Sequence, residues 1–202
     1  SQTYAGDSVA HALADDLHRD LRALAQNGQA TLFMVCLAGF NALLARYSGQ
    51  TDLCIGTPVA GRGDEALDNL AGCFLNTLVL RSDLGGRPGF AECVQRVKHT
   101  ALNAFAHQNL PFEQLVDELH PARDMSHAPI FQVAFMMQNT PWDDSVALHE
   151  LEPRSLELDH GVAKFDLSLI IAERDGTLRA HFEYNTDLFD RDTISRMAGH
   201  FE

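Results

Sequence analysis

HQNLPFEQLVDELHPARDMSHAPIF, residues 107–131, packs a helix between two dense polar clusters. Pro111 suits the first position of a short helix, where its missing amide hydrogen would have had no intrahelical partner. Phe112, Leu115, Val116 and Leu119 then share one helical face. Glu113 falls in the first turn, where a carboxylate complements the positive end of the helix dipole. Pro121 stops the helix. His107-Gln108-Asn109 precedes it and Arg123-Asp124-Met125-Ser126-His127 follows it. Spacing alone allows a plain reading, in which these polar residues cap and solvate the ends of a surface helix.

Three stretches together favour a second reading. His107–Glu113, HQNLPFE, resembles the HQDYPFE motif of nonribosomal peptide synthetase condensation domains, and Arg123–Ile130, RDMSHAPI, resembles their RDxSRNPL motif. Upstream, Gly72–Arg81, GCFLNTLVLR, is similar to the family's GxFVNTLxxR, and GTPVAGR, residues 56–62, looks like the segment that precedes it, without a chemical role attached. The departures are Asn109, Leu110, His127 and Ala128, which stand where the family has Asp, Tyr, Arg and Asn. The resemblance covers almost the whole chain. It also exposes an absence: the family's catalytic HHxxxDG has no counterpart, since no His-His pair occurs and Asp159-His160-Gly161 has the wrong order and spacing.

The resemblance therefore implies a single C-terminal lobe, residues 1–202, of a condensation domain, without its catalytic lobe. The implied fold is α/β, a mixed sheet flanked by helices that forms one half of a chloramphenicol-acetyltransferase-like two-lobed fold. In the intact domain an acceptor amine attacks a donor thioester carried on a phosphopantetheine arm. This lobe would supply tunnel wall and carrier docking surface, with no cofactor bound directly and no catalytic residue of its own. The implied partners are the N-terminal lobe, donor and acceptor carrier proteins and an adjacent adenylation domain. Asn76 and Thr77 are the candidates for the tunnel wall, and His107, Gln108, Glu113, Arg123, Asp124 and Ser126 for shaping it or its entrance. Arg123-Asp124 has an alternative as a local ion pair ordering a turn, of the exposed kind worth about 0–1 kcal/mol.

Composition narrows the classes. At 202 residues and 46% hydrophobic content the chain can bury a core as one domain. A net charge of −13 argues against nucleic acid, which needs clustered Lys and Arg. Carrier docking would then use a local basic or apolar patch. Cys36, Cys54, Cys73 and Cys93 lack CxxC or metal spacing and read as buried small hydrophobes in a reducing cytoplasm. The ten histidines form no ligand pattern, so no metal is expected. The polar opening Ser1-Gln2-Thr3 lacks a leader pattern, and no membrane partner is expected.

Periodicity supplies the elements. Residues 8–14 alternate as a short strand; Leu17, Leu21 and Leu24 mark an amphipathic helix ended by Gly28. Thr31 caps a helix, TLFMVCLAGFNALLARY, that is apolar nearly all round and too short for a membrane span, so it is expected at the centre of the core. Residues 53–59 form a strand, with Pro58 at an edge or bulge. Ala60–Glu65 lacks the Lys-Ser/Thr of a phosphate loop.

In a strand over 73–82, Asn76 shares an apolar face with Phe74, Leu78 and Leu80. A buried carboxamide needs partners, so it either ties down a loop or, as the resemblance implies, faces the tunnel. A long helix with Phe90, Val94, Val97, Leu102 and Phe105 near one stripe ends at His107, where the dipole favours a structural imidazole over a catalytic one. Residues 130–138 form a buried strand. Residues 139–161, with Trp142, form a long irregular connection, expected to cross to the other lobe. Residues 165–171 and 178–184 form a hairpin around Asp175-Gly176, and Asp190 caps a final helix.

Three functions stay open: a supporting lobe inactive alone, a carrier-binding module without catalysis, and an autonomous enzyme, for which no GxSxG, Ser-xx-Lys or Cys-His motif is present. The related epimerisation and heterocyclisation domains share the implied fold.

Overall fold

A computed structural model describes residues 3–62, 70–121, 127–138, 161–174 and 177–202. In chain order the elements are β1 (Gly6–Ala12), α1 (Asp15–Asn27), α2 (Leu32–Ser48), β2 (Asp52–Val59), β3 (Asn76–Asp83), α3 (Phe90–Ala106), α4 (Phe112–Leu119), β4 (Val133–Gln138), β5 (Leu167–Arg174), β6 (Thr177–Asn185) and α5 (Arg191–Phe201). One six-stranded sheet runs in the order β1-β6-β5-β4-β2-β3. Its centre is parallel, β2 with β4 and β4 with β5, while the outer pairs are antiparallel. This is the mixed sheet expected from the alternation of crossover and hairpin signals.

Helix α2 organises the core. Thr31 Oγ1 accepts a hydrogen bond from the Met34 amide (3.3 Å), and Gly49, at φ 73°, closes the other end with its amide on the Ala45 carbonyl. Val35, Leu37, Ala38 and Phe40 are wholly buried on it. It packs against α1, α3 and α5, and its Phe40 meets Phe135 of β4 and Phe182 of β6 with ring centroids 6.1 and 6.4 Å apart. Leu167, Leu169 and Ile171 of β5 and Leu178, Ala180, Phe182 and Tyr184 of β6 belong to the same core, at the spacing of two that places alternate residues on one face. Asp190 caps α5 by accepting from the Thr193 amide (2.7 Å).

Several boundaries differ from expectation, each for a local reason. On α3 the buried stripe is Cys93, Val94, Val97 and Ala101; Leu102 is exposed because it stands about a third of a turn off that line, and Phe90, in line four residues before Val94, is exposed at the first position of the helix. Pro111 (φ −61°, ψ 142°) is the residue before α4, not its first helical residue. The helix ends on His120 in the left-handed region (φ 44°), with Pro121 next. Strand β3 begins at Asn76, not Cys73, since its partner β2 ends at Val59 and the chain turns away through Gly61. Strand β4 starts at Val133, because Ile130 takes a positive φ of 70°. Pro58 lies beyond the ladder to β4, which ends at Gly56, so it has a strand neighbour on one side only.

The cysteines are all free, but they are not uniformly buried. Cys36 and Cys93 are buried, Cys54 is half-buried and Cys73 is exposed, because it precedes the strand that was expected to enclose it. Burial pushes the Cys36 thiol up to about 12. Among the described residues no single helix is long and apolar enough to cross a membrane. Of the crossover expected over 139–161, residues 139–160 with Trp142 lie outside the described residues, as does the Asp175-Gly176 turn.

Candidate functional site

The site is built where the first residue of β3 meets the turn between α3 and α4. At the end of α3 the amides of His107 and Gln108 reach back to the carbonyls of Ala104 and Phe105, and the Leu110 amide donates to His107 O (3.0 Å). That tight turn leaves the carbonyls of Gln108 and Leu110 aimed away from the helix, without an intrahelical donor. The Asn76 carboxamide supplies one. Its Nδ2 donates to both carbonyls, at 2.8 Å each. Its Oδ1 accepts from its neighbour Thr77 (2.8 Å) and from the Phe112 amide (3.2 Å), which opens α4.

All the hydrogen-bonding capacity that Asn76 uses is thus spent on main chain. Donors face carbonyls and the acceptor faces amides, so the amide orientation is fixed by the pattern. The reading in which Asn76 ties down a neighbouring loop is the one the geometry displays, and it places the HQNLPFE stretch against the start of the NTLVLR strand.

Two hollows of about 290 Å³ each open on either side of this junction, sharing Leu75, Asn76 and Glu113. The first adds Gly61, Cys73, Phe74, Gln108, Asn109 and Pro111. The second adds Thr77, Phe112, Phe131, Lys164 and Phe165. An aromatic row floors the second, Phe112 to Phe131 at 5.6 Å and Phe131 to Phe165 at 5.3 Å between centroids. Phe131 lies flat over β2 because residue 56 is glycine: a Cβ there would fall 2.1–2.7 Å from the ring. Leu75 is 70% exposed at the shared rim, with Leu110 also exposed nearby.

Of the residues singled out by sequence, Asn76, Thr77, Gln108 and Glu113 are brought together here. His107 is the exposed C-terminal cap of α3, outside both linings. Arg123, Asp124 and Ser126 lie outside the described residues. Just after them, His127 Nδ1 lies 3.3 Å from the Ala128 carbonyl. Burial raises the Asp166 carboxyl above its ordinary value, opposed by the charge of His127. Sequence reading passed over Phe131, Lys164 and Phe165, which come from separate stretches and carry no motif. It also left Arg62 without a role. Its guanidinium donates to the carbonyls of Leu70 (3.0 Å) and Gly72 (3.3 Å) and lies over the Phe74 ring at 4.6 Å. Among the described residues no group of three or more His, Cys, Asp or Glu side chains could hold a metal ion.

Comparison with known proteins agrees with this geometry. The family model "Condensation domain" matches residues 1–202. A linear gramicidin synthase of Brevibacillus parabrevis is 49% identical over 202 residues, covering 99% of this chain but 4% of the synthase. Among solved structures, holo-AB3403, a four-domain nonribosomal peptide synthetase bound to AMP and glycine, superimposes with a TM-score of 0.90 at 26% identity, over 99% of this chain and 17% of that one. The X-domain in its complex with OxyB from teicoplanin biosynthesis gives 0.82 at 27% identity, over 99% and 44%. The chain thus spans a small part of the synthase and less than half of the X-domain chain. Its sheet and helices are those of the chloramphenicol-acetyltransferase-like fold, and the chain belongs to the condensation domain family of nonribosomal peptide synthetases.

Proposed function

We propose that this chain is the C-terminal lobe of a condensation domain and forms one wall of the groove in which two carrier-bound thioesters are joined as an amide. The observation that carries the reading is the Asn76 side chain, which binds the HQNLPFE turn to the head of β3 and leaves a hollow on each side. A match to 44% of the X-domain chain supports a half-domain.

The reaction needs an acceptor amine to attack the donor's thioester carbon. A C–N bond forms, the C–S bond breaks, and the amine proton ends on the departing phosphopantetheine thiol. The groups lining the groove here are amide, hydroxyl, carboxylate, ammonium, aromatic and the Cys73 thiol, and the chain has no His-His pair to orient the amine. Its part is to bind and align, while the histidine comes from the N-terminal lobe. Holding both arms in line is itself a large share of such a reaction's rate, since it replaces a bimolecular encounter. Donor and acceptor carrier proteins and a neighbouring adenylation domain complete the set of partners.

The test is a condensation assay with loaded donor and acceptor carriers, comparing this chain alone, the N-terminal lobe alone and the intact domain. Product from the intact domain only is expected. Product from this chain alone would overturn the reading. A second reading, a module that binds a partner protein without catalysis, is favoured by the likeness to the X-domain, whose structure was determined with OxyB bound. It predicts carrier binding without product even when both lobes are joined.

A further inference from the structure

We propose that Arg62 is a positioning residue for condensation: it holds the outer wall of the first hollow, Cys73-Phe74-Leu75, at a fixed distance from Asn76 and Glu113. The assignment rests on the reading of that hollow as part of the condensation groove, and it gives the GTPVAGR stretch the role that its sequence left blank.

Four observations converge on it. The Arg62 guanidinium bridges to carbonyls eight and ten residues later, Leu70 at 3.0 Å and Gly72 at 3.3 Å, and so closes the loop that enters the wall. The same group lies 4.6 Å over the ring of Phe74, a lining residue. Gly61, immediately before it, takes φ 64° and approaches so closely that a Cβ would stand 1.8 Å from Phe74 O, so the two chain segments touch backbone to backbone. Finally, residues 72–75 belong to no strand: β3 begins only at Asn76, so no sheet ladder holds the wall. Arg62 supplies the hydrogen bonds that a strand would have supplied.

The planar fork of arginine suits this task and lysine does not. Two divergent donors reach two carbonyls while the flat face stacks on the ring, whereas an ammonium is a single point of charge. Arg62→Lys is therefore expected to keep the contact with Phe74 and lose the bridge.

The wall carries its own reporter. Cys73 is the exposed cysteine of the four, next to the Gly72 carbonyl that Arg62 holds. In the intact condensation domain within its synthetase, Arg62→Ala is expected to speed labelling of Cys73 by a thiol-reactive disulfide about threefold or more, as the segment opens locally. The same variant should raise KM for the loaded carriers about tenfold with kcat little changed, because the wall binds ground and transition states alike. Arg62→Lys should fall between Ala and the parent in both readouts. A purely structural staple would instead lower the folded fraction, seen as a reduced kcat and Tm at unchanged KM. That result, or an unchanged labelling rate, overturns the assignment. Faster labelling with both kinetic constants unchanged also overturns it, and traces the failure to the underlying reading of the hollow.

Discussion

The Oδ1 atom of Asn76 accepts a hydrogen bond from the amide of Phe112, 3.2 Å away across 36 residues of sequence. Its Nδ2 donates twice to the carbonyls just before that amide. One carboxamide therefore does for the start of α4 what a capping side chain usually does from within the helix's own sequence, where Pro111 has no group to offer. Asn76→Ala is expected to lower stability by about 1–3 kcal/mol, the cost of stranding part-buried main-chain groups. Asn76→Asp should cost more, because a carboxylate would face two carbonyl oxygens. Urea unfolding measures the first, and faster hydrogen exchange at the Phe112 amide ties it to this contact.

Gly56→Ala places a methyl within 2.1–2.7 Å of three Phe131 ring atoms. The ring is buried and wedged between Phe112 and Phe165, so it has no free direction of retreat. Overpacking of this kind costs about 1–3 kcal/mol. The double variant Gly56→Ala with Phe131→Leu should recover part of that loss. Strictly additive losses in a double-mutant cycle would show that the two residues do not meet as described.

Cys36 sets an alkaline limit. Its buried thiol titrates at about 12, against an ordinary value of 9.0. Between those values the native state keeps a proton that the unfolded chain has released, so stability falls as pH rises from about 9, by at most about 1.4 kcal/mol per pH unit. Cys54 and Cys93 are raised too, chiefly by burial, and add to the slope. Denaturant midpoints between pH 8 and 11 should therefore flatten, without becoming level, in Cys36→Ala. An unchanged slope would place the alkaline sensitivity elsewhere.

Thr31→Ala removes the side-chain cap of α2. The expected loss is about 1 kcal/mol, modest for a helix held mainly by its buried sides, and Thr31→Ser should restore most of it. Equal midpoints for Ala and Ser would mean that the hydroxyl contributes nothing.

The elements that sequence made legible are those whose own residues carry the signal. The α2 run is apolar nearly all round, and its burial follows from that alone. The hairpin of β5 and β6 alternates cleanly, and Thr31 and Asp190 are the caps expected. The misses came where a distant residue decided the outcome. Leu102 fits a loose helical stripe but stands about a third of a turn from the line of Val94, Val97 and Ala101 that faces the core, and Phe90 keeps that line but opens the helix, where it stays exposed. Cys73 looked like strand interior until the partner strand ended at Val59.

At the site, Asn76 was legible as a polar residue on an apolar face, and two alternatives for it could be written from periodicity. That its partners would be Gln108, Leu110 and Phe112 depends on how α3 folds back beside β3, which no local pattern encodes. Lys164 and Phe165 carried no signal of a site, Phe165 being legible only as the start of an alternating strand, since they reach the second hollow only through the parallel pairing of β4 with β5.

Strands β2 and β4 share only two residue pairs, Ile55 with Val133 and Gly56 with Ala134, whereas each of the other strand pairings runs for six or more. The Asn76 clamp rides on the β2–β3 side of that junction, and Lys164 and Phe165 ride on the β4–β5 side. The width of the second hollow is therefore gauged by a side chain rather than by a long ladder: Phe131, seated on Gly56, acts as the spacer between two half-sheets. Changing the thickness of that spacer would open or narrow the second hollow while Asn76, Glu113 and Lys164, the polar groups on its lining, stay unaltered.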